Sequence, residues 1–271
     1  MAETSERLLS VIVPTYNESA NIVPLVTKLL EAGDTREIVV VDDDSPDGTA
    51  ELVRQRFASD PRVKLIVRRE DRGLAKSVRA GLEASTGSLL AVMDSDFNHD
   101  PIVIDTMRSL LAHFDLVVGS RFVAGGGMED RFRYYCSLVY NMFVRTVLGT
   151  RMQDNLSGFF AIRRSALEHM DKDRIFFGYG DYFFRLLSQA ADLALPTVEI
   201  PVFYSLRHGG ESKTKYFGVL RQYTRAVLAE VAQQGLVSRQ LNPILPRGGA
   251  ARRQDGQTGE RRSSPPGAPR A

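Results

Sequence analysis

Short apolar segments alternate with helix-patterned segments from residue 8 to residue 119, and this alternation limits the possible folds more than any other feature. Five segments have the length and the branched apolar content of buried strands, namely residues 8–13, 37–41, 63–67, 88–93 and 115–119. A helical pattern lies between each pair of neighbouring segments. This alternation predicts an α/β fold with a mostly parallel, doubly wound sheet and helices on both of its faces.

The helical patterns are defined by apolar residues that recur every three or four positions and by the residues at which they stop. The first ends at Gly33, after an apolar face made of Ile22, Leu25, Val26, Leu29 and Leu30. The third runs from Leu74 to a stop at Gly87. The fourth is expected to begin with Asp100 as its cap, Pro101 in its first turn, and an inward face of Met107, Leu110, Leu111 and Phe114.

The formal charge of +2 is unevenly distributed along the chain. Residues 245–271 hold six arginines against two acidic residues, which leaves the preceding part slightly acidic. Because this tail is rich in Gly, Pro, Ser and Arg and nearly lacks apolar residues, we expect it to be disordered, as a solvated tail rather than a weak anchor to anionic lipid or RNA. One folded domain is expected over residues 1–244, and no nucleic-acid partner is expected.

The chain carries one cysteine, so it can form neither an internal disulfide nor a cysteine zinc cluster, which favours a reducing, cytoplasmic compartment. Cys136 itself is expected to be a small buried apolar residue. The opening residues, MAETSER, lack the basic start of a signal peptide, and no apolar stretch reaches the ~18 residues of a membrane span. We therefore expect a soluble or peripheral protein.

Two carboxylates, Asp94 and Asp96, directly follow the apolar segment 88–93. Ligands of α/β sheets bind at the carboxyl ends of the strands, and side chains two positions apart project to the same side. A pair of carboxylates at a cleft suits Mg²⁺ or Mn²⁺, which complete their coordination with water and substrate phosphates. The alternative is that the acidic cluster only caps the following helix, as Asp100 is expected to do.

Polar residues also follow the first two predicted strands. PTYNE, residues 14–18, comes after the first strand, and DDDSPDGT, residues 42–49, comes after the second. Carboxylates accept hydrogen bonds from a nucleobase or a ribose, and Tyr16 offers a ring for stacking on a base. Pro46 and Gly48 are ordinary turn residues, whereas Asp42 and Asp43 favour a binding role.

Five motifs occur in the order VIVPTYNE, VVDDDSPDGT, DRGLAKSVRAG, MDSDFNHDP and GSR. Over about residues 8–215 they resemble the family 2 inverting glycosyltransferases with the GT-A nucleotide-sugar-binding fold, and most of all the dolichol-phosphate (polyprenyl-phosphate) mannose synthases. The resemblance implies that Asp94, Asp96 and Asn98 hold Mg²⁺ or Mn²⁺ on the donor diphosphate, with Asn98 where many relatives have Gln. It also implies a nucleotide site made of Pro14, Tyr16, Glu18, Asp42 and Asp43. Asp44 replaces a frequent Gly and has no assigned role.

The resemblance divides the domain into a nucleotide and metal half, at about residues 8–122, and an acceptor half, at about residues 123–235. Arg207, Gly210, Ser212 and Lys213 match the R-x-x-G-x-S-K element of polyprenyl-phosphate glycosyltransferases, and the segment after GSR matches at Arg121, Arg131, Ser137 and Asn141. The implied ligands of the acceptor phosphate are Arg121, Arg131, Ser137, Arg207, Ser212 and Lys213. The implied catalytic residues are Asp96, Arg121, Arg207 and Lys213.

Arginine and lysine suit a phosphate acceptor, which is already ionised at neutral pH and needs no general base. Asp154 and Asp181 are expected to orient sugar hydroxyls or the cations, with helix capping an equal alternative for Asp181. Together with these features, the resemblance implies inverting transfer of a hexose, mannose from GDP-mannose, to a polyprenyl phosphate. The alternatives are a polyprenyl-phosphate glucosyl- or amino-sugar transferase that uses a UDP-sugar, and a non-catalytic nucleotide-binding subunit.

Other classes are disfavoured by missing motifs. A Rossmann dehydrogenase needs G-x-G-x-x-G after its first strand, where this chain has PTYNE. Polymerising relatives carry Q-x-x-R-W, and this chain has no Trp. Because the acceptor is a lipid, we expect peripheral binding on the cytoplasmic face of a membrane or a membrane-anchoring partner protein. Residues 134–148 or 216–228 could lie in the membrane interface, with packing inside the domain as the alternative.

Overall fold

The computed structural model describes residues 8–32, 36–205 and 221–232. Several predicted features lie outside these ranges: the helix stop at Gly33, the R-x-x-G-x-S-K element with Arg207, Ser212 and Lys213, and the tail at 245–271. Their predicted roles therefore stay predictions.

The strands are β1 (Leu9–Thr15), β2 (Arg36–Asp42), β3 (Val63–Val67), β4 (Leu89–Val92), β5 (Leu116–Ser120), β6 (Gly127–Met128), β7 (Phe160–Arg163), β8 (Thr197–Pro201) and β9 (Phe203–Tyr204). The helices are α1 (Ile22–Glu31), α2 (Thr49–Phe57), α3 (Leu74–Ala84), α4 (Val103–Leu110), α5 (Arg131–Leu148), α6 (Arg164–Glu168), α7 (Lys172–Ile175), α8 (Tyr182–Asp192) and α9 (221–232). All five predicted strands are present, and each observed end lies within two residues of its predicted position.

Seven strands form one sheet in the order β3-β2-β1-β4-β7-β5-β8. All neighbours pair in parallel except β7, which is antiparallel to both β4 and β5. The prediction of a mostly parallel sheet is therefore confirmed, with one reversed strand that the sequence did not reveal. The strand β4, which precedes Asp94 and Asp96, occupies the centre of the sheet, as its continuous apolar sequence indicated.

Both faces of this sheet are covered by helices because successive side chains of each strand enter opposite cores. In β1, Ile12 packs into a core with α3, α6, α7 and α8, whereas Val11 and Val13 pack into a second core with α1, α2 and α4. Close packing of α3 depends on Gly81, where a Cβ would overlap the side chain of Ile12. Because the helices pack on the two faces of the sheet, the carboxyl ends of the parallel strands remain available for a functional site.

The predicted start of α4 is wrong by a few residues. The helix begins at Val103 with Ile102 at its N-cap, rather than at Asp100. Asp100 instead begins the preceding turn, where its carboxylate accepts from the backbone N–H of Ile102 at 3.2 Å and its carbonyl from that of Val103 at 3.1 Å. The third helix likewise ends at Ala84, before the predicted stop at Gly87.

Among the described residues, one face of the helix α5 packs against the rest of the domain. Asn141, Val144 and Leu148 are buried, with Val144 and Leu148 against α8 and α9, whereas the opposite face exposes Phe132, Tyr135, Cys136, Val139, Met142 and Phe143. The predicted burial of Cys136 is wrong because this residue lies on the outward face. Among residues 8–32, 36–205 and 221–232, no helix combines the length and the apolar character required to cross a membrane.

Candidate active site

A cavity of about 610 Å³ lies at the carboxyl ends of β1, β2 and β4, the edge where the sequence predicted a site. Eight of the predicted site residues line it: Pro14, Tyr16, Glu18, Asp43, Asp94, Asp96, Asn98 and Arg121. Three others within the described part of the chain do not line it: Asp42, Arg131 and Ser137. The motifs that are distant in sequence therefore converge on one cavity.

The loop after β4 presents Asp94 and Asp96 to the cavity. Asp96 is almost fully buried, and Asn98 holds its carboxylate through a backbone N–H at 3.1 Å and a side-chain amide at 2.7 Å. Between them, Phe97 has a φ of 59°, a left-handed conformation that is rare for a bulky residue. Asn98 therefore orients Asp96, and the backbone of this loop is fixed in a conformation that costs energy.

Asp42 supports the site from behind instead of lining it. It is the last residue of β2 and fully buried, and its carboxylate accepts from Thr15 Oγ1 at 3.3 Å, from Ser45 Oγ at 2.5 Å and from the backbone N–H of Ser45 at 2.9 Å.

Asp44, two residues after Asp42, has a φ of 56°. Asp is among the residues that tolerate this left-handed backbone, which glycine adopts most readily.

Asp43 lines the cavity and also organises its wall. One carboxylate oxygen accepts from Arg68 Nη1 at 2.8 Å and from Ser77 Oγ at 2.6 Å, and the other accepts from the backbone N–H of Gly73 at 2.7 Å. These bonds fix the connection between β3 and α3 beside the loop after β2. A ligand at this wall would meet a carboxylate whose position is already set.

The loop after β1 is tied to the loop after β2. The backbone N–H of Asn17 donates to Ser45 Oγ at 2.9 Å, and that of Glu18 donates to Thr49 Oγ1 at 3.0 Å. Glu18 also accepts from Asn21 at 2.8 Å. Tyr16 stands at the cavity with 44% of its surface exposed, so its ring is accessible for stacking.

Arg121 is held by a buried ion pair at the cavity wall. Asp154 accepts from Arg121 Nε and Nη2, each at 2.7 Å, and from its backbone N–H at 3.1 Å. Burial alone would lower the pKa of Arg121, but the Asp154 carboxylate outweighs burial and raises that pKa, so the guanidinium stays charged. Of the two roles predicted for Asp154, the orientation of a cation is the one that this geometry supports.

Tyr204, which the sequence did not single out, packs against Arg121, and a second such aromatic residue, His99, packs against Tyr204. Its guanidinium lies 5.1 Å from the ring centre of Tyr204, and the Tyr204 hydroxyl donates to Asp94 Oδ2 at 3.3 Å. Burial raises the pKa of Tyr204 well above its usual value, as does the Asp94 charge. His99 packs edge-on against Tyr204, and burial, with the charge of Arg121, lowers the pKa of His99 to about 3. The sequence could have drawn attention to His99, because this residue lies beside the aspartates. It could not have indicated Tyr204, because the strand β9 that contains Tyr204 is too short to leave a sequence pattern.

The amino-terminal end of α5 presents a different arginine from the predicted one. Arg133 lines the cavity, whereas Arg131 is exposed away from it. Asp130 caps the helix by accepting from the backbone N–H of Arg133 at 3.0 Å, and Asn141 joins α5 to the loop after Asp154 by accepting from the backbone N–H of Asn155 at 2.7 Å. Residues two apart on a helix face different directions, so only one of the two arginines can point inward.

A third wall is formed where α8 begins. Tyr179, Gly180 and Tyr182 line the cavity there, and Asp181 between them pairs with Arg185 and accepts from the backbone N–H of Tyr179 at 2.7 Å. Asp181 occupies the N-cap position but makes no side-chain capping bond to α8. It therefore supports the tyrosine wall.

Comparisons with known proteins agree with this architecture. The profile of the family described as "Glycosyl transferase family 2" matches residues 10–171. The chain belongs to glycosyl transferase family 2. Within the family it is 34% identical over 239 residues to a dolichol-phosphate mannosyltransferase of Pyrococcus furiosus, covering 85% of this chain and 66% of that protein. It is 35% identical over 212 residues to an undecaprenyl-phosphate mannosyltransferase of Micrococcus luteus, covering 74% and 85% respectively.

This glycosyltransferase also shares its fold with solved structures of the GT-A type. Glucosyl-3-phosphoglycerate synthase of Mycobacterium tuberculosis, crystallised with Mn²⁺, UDP and glucosyl-3-phosphoglycerate, superimposes with a TM-score of 0.66 at 19% identity. The match covers 85% of this chain and 82% of that structure. The predicted GT-A fold is thereby confirmed.

The side-chain oxygen atoms at the cavity fit a divalent cation that is coordinated by the protein and by substrate phosphates together. Within the described ranges, no three His, Cys, Asp or Glu side chains are grouped so that they could hold a metal by themselves. Asp94 and Asp96 instead supply two carboxylates at the cavity, with the amide of Asn98 beside them. Hard oxygen donors in this small number are typical of Mg²⁺ or Mn²⁺ sites that are completed by a bound diphosphate.

Proposed function

We propose that this glycosyltransferase transfers mannose from GDP-mannose to a polyprenyl phosphate with inversion at the anomeric carbon. The observation that carries the proposal is that a single cavity is lined by the acidic pair Asp94 and Asp96 and also by the fixed cation Arg121. The curated relatives named as dolichol- and undecaprenyl-phosphate mannosyltransferases support the same reaction.

The donor would occupy the part of the cavity next to β1, β2 and β4. Tyr16 is accessible for stacking on the base, and Pro14, Glu18 and Asp43 lie along the same wall. Asp94, Asp96 and Asn98 would hold Mg²⁺ or Mn²⁺. Such a cation, when bound, neutralises the charge that develops on the departing nucleoside diphosphate. Asp42 would act indirectly, through the loop that it holds.

The loop after β4, which carries Asp94, Asp96 and Asn98, is called the metal loop. The acceptor phosphate would be bound by cations on the other side of this loop. Arg121 cannot lose its charge and is oriented by Asp154, and Arg133 lines the cavity nearby. Arg207, Ser212 and Lys213 are proposed for the same role from the family resemblance. These residues would align a phosphate oxygen with the anomeric carbon on the side opposite the leaving group, so that one in-line displacement inverts the configuration.

No residue is needed to deprotonate such an acceptor. A phosphate monoester has a second pKa of ~6 and is ionised at neutral pH. Within the described ranges, the residues that line the cavity include no histidine. His99, which lies next to the metal loop, is buried and has a pKa of about 3, so it stays neutral. The chemistry therefore depends on alignment and charge stabilisation rather than on a general base.

The outward face of α5 supports docking on a membrane surface. Phe132 and Val139 expose 79% and 67% of their surfaces on this apolar face. The helix carries Arg131, Arg133 and Arg145 and no acidic residue. An apolar face flanked by cations is typical of helices that lie in the interface of anionic bilayers. We place this docking on the cytoplasmic face, where the single cysteine would stay reduced.

The reaction is tested by incubating purified protein with polyprenyl phosphate and a panel of radiolabelled nucleotide sugars, in Mg²⁺, Mn²⁺ or EDTA. The expected result is label from GDP-mannose in the organic phase, dependent on the cation. Lipid product only from a UDP-sugar would contradict the donor, and transfer only to a soluble hydroxyl would contradict the acceptor. Nucleotide binding without any transfer would favour a non-catalytic subunit or a missing membrane partner.

Docking is tested with a fluorophore that reports polarity, attached to the native Cys136 on the outward face of α5. Vesicles containing anionic lipid should shift its emission to the blue, and neutral vesicles should do so less. Replacing Phe132 and Val139 together by Ser should reduce the shift. An unchanged emission spectrum on anionic vesicles would contradict docking through α5.

A further inference from the structure

Tyr204 contacts both charged groups on which the proposed reaction depends. Its hydroxyl donates to Asp94 Oδ2 at 3.3 Å, and the guanidinium of Arg121 lies 5.1 Å from its ring centre. A phenol can donate one hydrogen bond through its O–H and attract a cation through its face at the same time. The two interactions use different parts of the side chain, so they can be separated by substitution.

The backbone around Tyr204 is fixed to both sides of the site. Its carbonyl accepts from the backbone N–H of Glu129 at 2.9 Å, in the small sheet that β9 forms with β6. The next residue, Ser205, donates its backbone N–H to the carbonyl of Asn98 at 3.0 Å, within the metal loop. Tyr204 is thus anchored between the loop after β4 and the segment that leads into α5.

The ring of Tyr204 is also held from the side. His99 meets it edge-on, with ring centres 4.4 Å apart and planes at 85°, and His99 is itself stacked on Phe159 at 4.4 Å. His99 is 1% exposed, so this packing leaves little freedom to the Tyr204 ring. A ring that cannot turn away is suited to fixing the direction of its hydroxyl and the position of a cation on its face.

We propose that Tyr204 is a positioning residue that couples the two halves of the site: its hydroxyl orients the metal-binding carboxylate Asp94, and its ring supports Arg121 for the acceptor phosphate. This inference rests on the proposed function, because it assumes that Asp94 binds a cation and that Arg121 binds phosphate. It predicts that the two halves respond to different substitutions of the same residue. Groups that orient a metal ligand typically change metal affinity 10- to 100-fold when they are removed.

The first test measures Mn²⁺ binding in the presence of GDP, from the electron paramagnetic resonance signal of free Mn²⁺. Tyr204→Phe keeps the ring and loses the hydroxyl, so it should weaken Mn²⁺ binding about 10- to 100-fold. Tyr140→Phe is the matched control, because Tyr140 also makes a hydroxyl hydrogen bond of 3.3 Å, to Thr224, away from the cavity. The control should bind Mn²⁺ like the wild type.

The second test measures the KM for polyprenyl phosphate at saturating Mn²⁺ and GDP-mannose. Tyr204→Leu removes the ring beneath Arg121 and should raise this KM at least about 10-fold, since the guanidinium then loses one side of its support. Tyr204→Phe should leave it within about threefold of the wild type. The urea unfolding midpoint of each variant checks that the fold is retained, and if Tyr204→Leu does not fold, the Mn²⁺ measurement on Tyr204→Phe decides.

Wild-type Mn²⁺ affinity in Tyr204→Phe would overturn the inference alone. So would equal effects of the Phe and Leu variants on both measurements, which would indicate a general loss of packing. Absence of Mn²⁺ binding by the wild type would overturn the proposed metal role and this inference with it. The failures of the two proposals are therefore distinguishable.

Discussion

The buried pair of Arg121 and Asp154 allows a quantitative prediction about stability. Asp154→Asn keeps the size of the side chain but removes its charge and turns an amide N–H₂ group toward the guanidinium. Asp154 is fully buried and accepts three hydrogen bonds from Arg121, so the variant leaves a buried cation without its counter-ion. Breaking a buried pair from one side typically costs about 3–5 kcal/mol.

That cost would be a large share of the total stability, because domains of this kind unfold with about 5–15 kcal/mol. The free energy of unfolding should be measured by urea titration with circular dichroism at 222 nm, since the chain has no Trp to report by fluorescence. The slope with urea should be unchanged, so that the loss is read from the midpoint.

Asp115→Asn is the matched control. Asp115 also pairs with an arginine, Arg163, at 3.5 Å, but both side chains are about one-third exposed. Such pairs contribute about 0–1 kcal/mol. Arg121→Met combined with Asp154→Leu should be more stable than Asp154→Asn, because no buried charge remains unpaired. If the two Asn variants lost the same free energy within about 0.5 kcal/mol, the assumed cost of burying Arg121 unpaired would be refuted.

Four further predictions concern single positions. Asp96→Ala should abolish cation-dependent transfer while retaining the circular dichroism spectrum, and normal transfer would remove its assigned role. Arg133→Gln should raise the KM for polyprenyl phosphate about 10-fold or more, since a charged hydrogen bond is lost, whereas Arg131→Gln should not; equal effects would contradict the orientation of α5. His99 binds a proton near pH 6.5 in the unfolded state but only near pH 3 in the folded state, so its contribution to stability in EDTA should fall by up to about 1.4 kcal/mol per pH unit between pH 6.5 and pH 3. Urea midpoints measured across this range should depend less on pH in His99→Phe than in the wild type. Asp44→Gly should change stability by less than about 1 kcal/mol and Asp44→Val should cost about 1–3 kcal/mol, as judged by urea midpoints.

The sequence predicted the strands whose own residues show an apolar strand pattern. The strands β1, β2, β4 and β5 are rich in apolar residues because both of their faces are buried in the sheet. The edge strand β3 is only partly buried, but its branched apolar residues still indicate a strand. The antiparallel β7 was not predicted, since its four residues, Phe160–Arg163, are too few to show a period, and its direction depends on its partners β4 and β5. Insertion of a strand between two others is a tertiary property that local sequence does not contain.

The sequence predicted the site residues whose role follows from their position directly after a strand. Asp94 and Asp96 were identified because they follow the carboxyl end of a central strand. Asp42 was placed at the nucleotide but lies behind the cavity, because β2 extends one residue further than predicted and turns that side chain inward. Tyr204 was missed because its contact with Asp94 joins residues 110 positions apart.

The outward face of α5 has a consequence for how the acceptor would be selected. A protein docked through this face would share a surface with its lipid substrate, so encounter would depend on effective concentration in the bilayer rather than on concentration in bulk water. The cavity could then bind the phosphate headgroup weakly and still be filled, and a weakly held product would leave quickly. A short, water-soluble phosphate that fits the cavity would remain a poor acceptor, because selection would act through location before it acted through shape.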